Sequence, residues 1–360
     1  MLNRIKNRVL SGKRLTGKDA STLFESDDIF TLGSLASYAA WRKNGRKAYF
    51  VRNRHINPTN ICINRCRFCA FSRSKGQEGA FELTIDEIIR KLGGSDPELK
   101  TPSFSEVHIV GGLHPDWPFE YYLEIISAIK KHFPKLQIKA FTAVEVNHMA
   151  EISGLGLKKT LDALKKNGLS SMPGGGAEIF DPEIRKRLCP EKISGERWLK
   201  VMEIAHWTGI RTNATMLYGH IESYADRVDH LMKLRKLQDK TGGFQAFIPL
   251  SYHPKNTRIK GVRYTSGIDD LKTIAISRLV LDNFSHIKAY WIMLGEKLSQ
   301  LGLKFGADDI DGTVIEEKIT HSAGGLTGEH LTVEQLTDLI KKAGKTPVER
   351  DAFYKRARKY

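Results

Sequence analysis

Between about residues 50 and 310, short β-branched apolar runs alternate with amphipathic helical segments, and this period limits the fold more than any other feature of the chain. The strand-like runs are YFVRNRHIN (49–57), SEVHIVGG (105–112), LQIKAFTAV (136–144), LSSMPGGG (169–176), RTNATMLYG (211–219), FQAFIPLS (244–251), HIKAYWIM (286–293) and, with the thinnest signal, LKFGADDI (303–310). The segments between them carry helix punctuation. In TIDEIIRKLGG, Thr84 and Glu87 make a capping box, Ile85, Ile88, Ile89 and Leu92 share a face, and Gly93 ends the helix. FEYYLEIISAIKKHFP sets Phe119, Tyr122, Leu123, Ile126 and Ile129 on one side, with Lys130, Lys131 and His132 at the negative end of the dipole and Pro134 as the stop. DRVDHLMKLRKLQDKTGG and DDLKTIAISRLVLDNF follow the same grammar. Strand–helix units in series imply parallel strands and right-handed crossovers. Eight of them predict an α/β fold closed as a (β/α)8 barrel over residues 49–312, with an open doubly wound sheet as the alternative. Residues 1–48 are expected to form a helical leader packed on the barrel, and residues 313–360 a C-terminal extension holding one more helix, TVEQLTDLIKKAGK.

In such barrels ligands bind where strands end at their carboxyl side, so chemistry is sought just after each run. After the first run comes CINRCRFCAF, with Cys62, Cys66 and Cys69 inside eight residues; the only other cysteine is Cys189. Four cysteines in 360 residues do not make a disulfide framework. A closed zinc site takes four ligands, commonly as two CxxC-like pairs, and no second pair follows, so Cys189 is read as a buried or partly buried thiol with no assigned role. Three thiolates on one short loop suit three irons of a [4Fe-4S] cubane whose fourth iron lacks a protein ligand.

Other strand ends add candidates. Gly111 and Gly112 follow the second run; Gly174, Gly175 and Gly176 follow the fourth and precede Glu178, and consecutive glycines allow a ligand close to the backbone. His114, Glu145, His220 and His253 are the candidate catalytic groups, although a lone histidine is commonly structural and Glu145 also stands where it would cap the next helix. Asn213 and Thr215 lie two apart on one strand and therefore face the same way; with Gln245, Lys288 and Tyr290 they are candidate substrate ligands.

Lysine and arginine number 57 against 41 acidic residues, a balance of +16 that favours anionic partners. The basic residues are dispersed, with no aromatic-interleaved stripe, so nucleic acid is not the expected partner. The amino terminus lacks an apolar signal core and no apolar run reaches 18 residues, so a cytoplasmic protein without a membrane partner is expected.

The CxxxCxxC spacing with Phe68 before the last cysteine, on the first β/α loop, resembles the signature of the radical S-adenosylmethionine (radical SAM) superfamily. The resemblance implies a [4Fe-4S] cluster held by Cys62, Cys66 and Cys69, and S-adenosylmethionine chelating the open iron, from which one electron releases a 5′-deoxyadenosyl radical. It also implies a flavodoxin- or ferredoxin-type reductant. Phe68, Gly111, Gly112, Gly175 and Glu178 would contact the cofactor; where the superfamily often has Gly-Gly-Glu, this chain has Leu113. The cofactor supplies the reactive group and the barrel supplies geometry and dryness.

NPTNICINRCRFCAFSRSKGQEGAF, GGLHPDWPFEYY, MPGGGAEIF, TNATMLYGHIE, DKTGGFQAFIPLSYHP and DNFSHIKAYWIMLG further resemble the menaquinone-pathway enzymes of the futalosine route. RLCPEKISGERWL, FIPLSYHPKNT and KTPVERDAFY are more similar to its aminofutalosine synthases than to its dehypoxanthine futalosine cyclases. That resemblance implies addition of the radical to 3-[(1-carboxyvinyl)oxy]benzoate, an aromatic dicarboxylate, giving 6-amino-6-deoxyfutalosine. A reading from another class, a zinc-stabilised basic nucleic-acid-binding protein, predicts a colourless protein whose binding collapses with salt.

Overall fold

The computed structural model describes residues 2–93, 103–355 and 357–360. Its eleven described strands are β1 (Lys47–Val51), β2 (Asn53–Ile56), β3 (Glu106–Ile109), β4 (Gln137–Ala140), β5 (Leu169–Met172), β6 (Arg211–Tyr218), β7 (Phe244–Ser251), β8 (His286–Ile287), β9 (Asp309–Gly312), β10 (Thr346–Arg350) and β11 (Ala357–Lys359). Strands β2 to β8 form one parallel sheet in chain order, the arrangement that repeated right-handed crossovers produce.

The gap between β8 and β2 is filled by residues 309–315. The Ala289 amide donates to Asp309 O at 2.8 Å, and the His55 amide donates to Ile315 O at 2.9 Å. The eighth position of the barrel is thus shared between β9 and the residues that follow it. β9 belongs as well to a second sheet, ordered β11-β10-β1-β9, in which only the β10–β11 pair is antiparallel.

Three boundaries differ from those expected. The run 49–57 is two strands broken at Arg52: β1 joins the outer sheet, and β2 joins the barrel. One strand cannot ladder with both β10 and β3, so the chain changes sheets there. The run 286–293 has only two strand residues before the helix Trp291–Leu294, which the indole of Trp291 anchors by donating to Gly312 O at 2.8 Å. The last run begins at Asp309 rather than 303, because residues 303–307 close the end of the helix Glu296–Gly302, with the Ala307 amide donating to Gly302 O.

The helices form where their caps predict. Thr84 and Glu87 exchange bonds before the helix Ile85–Gly93, and Thr332 and Gln335 do the same before Val333–Lys342. The helix Phe119–His132 buries Phe119, Tyr122, Ile126 and Ile129 as the spacing predicts; Ile125 joins them while Leu123 is only partly covered. Among the described residues no helix is long and apolar enough to cross a membrane.

Candidate functional site

A cavity of about 320 Å³ runs from the Cys62–Cys69 loop down into the barrel lumen. The loop is pinned on three sides: the Cys62 amide donates to Arg73 O, the Ile63 amide to Leu113 O and the Arg67 amide to Leu188 O. Gly112 lies beneath it. A Cβ there would sit 2.1 Å from Ile61 O and 3.0 Å from the Cβ of Cys62, so the end of β3 passes under the cysteine loop only because residue 112 is glycine.

All three thiols are free and line the cavity. Among the described residues, no group of three or more His, Cys, Asp or Glu surrounds a point as the ligands of a single metal ion do. A cubane distributes three thiolates over three separate irons, and one loop bearing three cavity-facing cysteines fits that requirement. Cys189, distant in sequence and fully buried, lies close enough to Cys66 for the two thiols to perturb each other's titration. Neither spacing nor pattern in the sequence signalled that contact.

The walls next to the cysteines carry several of the expected cofactor residues. Glu145 caps the helix Ala143–Ser153 through Thr142, and its other oxygen accepts from the Gly111 amide at 3.0 Å. Burial pushes its carboxyl up to about 7, against the pull of those hydrogen bonds. The structure thus shows the capping reading of Glu145, at a position that also lines the cavity. Across the cavity the Thr215 hydroxyl donates to Gly174 O at 2.6 Å and the Trp198 indole to Gly175 O at 3.1 Å, fixing the triple-glycine turn. A Cβ on Gly174 would fall 2.7 Å from the Ala214 backbone.

Glu178 pairs with Lys192 at 2.6 Å, and the same ammonium lies 5.0 Å from the centre of the Phe68 ring. Burial would raise the Glu178 carboxyl, but Lys192 holds it below its ordinary value. Lys192 lines the cavity and was missed from sequence, where it reads as one more basic residue before a helix.

Asn213, Thr215, His253, Lys288 and Tyr290 line the cavity as well. His114, His220 and Gln245 do not. His114 stacks on Trp117 and accepts from the Asp116 amide. His220 donates from Nε2 to Leu217 O and meets Glu222 at 2.9 Å. Gln245 is buried in β7 outside the lining.

The lumen floor contributes groups that belong to none of the sequence motifs. Strand register aligns His55, His108 and Lys139 on β2, β3 and β4, with Glu106 two residues before His108 on the same face. Lys139 pairs with Glu106 at 2.7 Å, and Lys288 with Asp311 at 3.3 Å. Arg350, at the end of β10, closes the floor from the outer sheet through Asp309 at 2.6 Å.

A parallel β/α barrel with three cavity-lining cysteines at its mouth has the architecture of an iron–sulfur enzyme. The chain belongs to the radical SAM superfamily. The Radical SAM superfamily model matches residues 56–234, and the model of the CofH/MqnC C-terminal region matches 241–359. Aminodeoxyfutalosine synthase of Thermus thermophilus is 45% identical over 98% of this chain and 95% of its own. The 5-amino-6-(D-ribitylamino)uracil–L-tyrosine 4-hydroxyphenyl transferase of Methanococcoides burtonii is 40% identical over 98% and 99%. The cyclic dehypoxanthine futalosine synthase of Streptomyces coelicolor is 38% identical over 98% and 88%. Among solved structures, methylornithine synthase superposes with a TM-score of 0.75 over 95% of this chain and 97% of its own, at 18% identity, a likeness of fold alone. As a member of this superfamily the protein uses a [4Fe-4S] cluster and S-adenosylmethionine.

Proposed function

We propose that the protein joins the 5′-deoxyadenosyl group of S-adenosylmethionine to 3-[(1-carboxyvinyl)oxy]benzoate, forming 6-amino-6-deoxyfutalosine in menaquinone biosynthesis. The observation that carries this reading is the 45% identity, over nearly the full length of both chains, with the synthase of Thermus thermophilus. Its support in the geometry is a single lumen joining the cysteine mouth to a floor with two buried lysines, a place for an anionic aromatic substrate.

Cys62, Cys66 and Cys69 would hold the cluster. Bound together, the cluster and S-adenosylmethionine supply a 5′-deoxyadenosyl radical when a flavodoxin- or ferredoxin-type donor delivers one electron. The protein's own part is placement. The turns at 111–112 and 174–176 fix the strand ends beside the cysteine loop, since a Cβ at Gly111, Gly112 or Gly174 would meet the backbone of Thr59, Ile61 or Ala214, and Lys192 would offer its charge to the methionyl carboxylate. Glu178 orients Lys192 and lines the cavity where it would meet the ribose. Asn213, Thr215 and Tyr290 line the lumen wall and would contact the enolpyruvyl group, and enclosure in the barrel would keep out the water that quenches a radical.

Anaerobic incubation with S-adenosylmethionine, reductant and the enolpyruvyl ether tests the reading: both substrates should be consumed in step and a single coupled nucleoside should form. Release of free 5′-deoxyadenosine with turnover of dehypoxanthine futalosine would assign the cyclase instead. Transfer of a hydroxyphenyl group from tyrosine to 5-amino-6-(D-ribitylamino)uracil would assign the third activity found among the relatives.

A further inference from the structure

The floor of the lumen is a set of ionised side chains buried out of water, and its charges balance. Lys139, Lys288 and Arg350 stand against Glu106, Asp309 and Asp311, all of them buried. Glu317, which lines the cavity above them, is matched by His321, whose imidazole the Glu317 carboxylate raises to about 9. Two groups remain outside this balance. His108 Nδ1 lies 3.4 Å from His55 Nε2 on the neighbouring strand, and both rings line the cavity. Burial, the largest influence on each, drives both below the ordinary histidine range, against the opposite pull of Glu317, Asp311 and Glu106 on His55 and of Asp311 on His108; His55, Lys139 and Lys288 push His108 further down.

The floor is also incomplete as a hydrogen-bonded network. His108 Nε2 is buried without a partner. With the shared proton on His55 Nε2, His108 carries its own on Nε2 and offers it as a donor. Lys288 has one carboxylate at 3.3 Å and the next at 3.9 Å, which does not occupy an ammonium's three donors at short range. Both residues line the cavity, and an acceptor brought against them would complete these donors.

We propose that the floor seats the ring carboxylate of an aromatic acid substrate, held by the Lys288 ammonium and by His108 through Nε2, with Lys139 adding its field from β4. This assignment rests on the reading of the reaction given above and orients the substrate, with its carboxylate at the bottom and its reacting vinyl group toward the cysteines. An anion entering a balanced, buried set of charges leaves one negative charge uncompensated, which a low-dielectric site does not tolerate. Within the floor the His55–His108 pair is the group able to compensate by gaining a proton, since each carboxylate there is already paired with a cation. The carboxylate therefore enters with a proton, and its binding weakens as pH rises, whereas binding of a neutral phenol does not.

The test compares 3-[(1-carboxyvinyl)oxy]benzoate with 2-phenoxyacrylate, which lacks the ring carboxylate, in the reconstituted enzyme. Loss of a charge-assisted hydrogen-bonded contact implies a KM about 10- to 100-fold higher for the analogue. In Lys288→Met that preference should vanish while iron content stays at the wild-type level. Because that change strands Asp311, Lys288→Met/Asp311→Asn is measured beside it. Equal KM values in the wild type, or a preference that survives in both variants, would overturn the assignment. Calorimetry with 3-hydroxybenzoate and phenol on the cluster-loaded, S-adenosylmethionine-bound protein reads the same site without turnover. Tighter binding of the hydroxybenzoate, with proton uptake seen by comparing buffers of different ionisation enthalpy and abolished in His108→Phe, is expected. If the enolpyruvyl ether is not consumed but this pattern holds, the reaction assignment fails and the carboxylate seat stands. If the two phenols bind alike, the seat fails whatever the reaction.

Discussion

Replacing Arg350 with methionine should destabilise the barrel far more than loss of a surface charge. The side chain is 1% exposed, and its Nε lies 2.6 Å from Asp309. Its other nitrogens are 3.8 Å from Glu106 and 3.8 Å from Asp311, and its guanidinium sits 4.5 Å from the centre of the Tyr354 ring. Methionine keeps much of the volume and removes the charge, leaving three buried carboxylates with only Lys139 and Lys288 to answer them. Breaking a buried ion pair from one side costs about 3–5 kcal/mol, a large share of the roughly 5–15 kcal/mol that holds a folded domain. Urea unfolding followed by circular dichroism measures the loss. In Arg350→Met/Asp309→Asn both partners are gone, and the double-mutant cycle should return a coupling of about 2 kcal/mol or more, beyond what distant sites give. A loss below about 1 kcal/mol, the range of exposed pairs, together with additive effects, would refute the claim that the floor is a desolvated electrostatic unit.

Gly112→Ala should keep the fold yet lose cluster iron after reconstitution, because its Cβ would meet Ile61 O at 2.1 Å and force the cysteine loop to move; full iron content would count against that account. Cys66→Ser should lose the cluster, whereas Cys189→Ser should keep about four irons per chain, since Cys189 contacts a ligand without being one; equal losses would make Cys189 part of the site. For Glu222, burial would raise the carboxyl, but His220 and Arg227 bring it from 4.5 down to about 2. Its folded value is depressed, so its stabilisation of about 3 kcal/mol is present above pH 4.5 and lost as pH falls from 4.5 toward 2. Acid unfolding of Glu222→Gln should be flatter across that window, and an unchanged profile would remove Glu222 from the acid response.

The barrel and its mouth were legible because each rests on local sequence. The β/α period sets the sheet order, the capping boxes set helix starts, and three cysteines on one loop report their own proximity. What stayed hidden depends on register and on chain returning from far away. Nothing in YFVRNRHIN says that it serves two sheets, since the partner that takes its first half is β10, nearly 300 residues later. Cys189 and Lys192 reach the cluster loop only through the turn after Leu188, and His114 and His220 left the cavity because their rings found partners in their own loops. The floor did leave a signal. Strands covered on both faces read as continuous apolar runs, and a charge inside one needs a counter-charge or a ligand. His108 and Lys139 each interrupt an apolar run, and strand register sets them with His55 and Glu106 on one face of three neighbouring strands. Asking of every interrupted run what answers its charge would have pointed to Glu106 for Lys139, and to a missing acceptor for His108. In an α/β barrel that question finds the substrate end of the lumen, as the cysteine spacing finds the cofactor end.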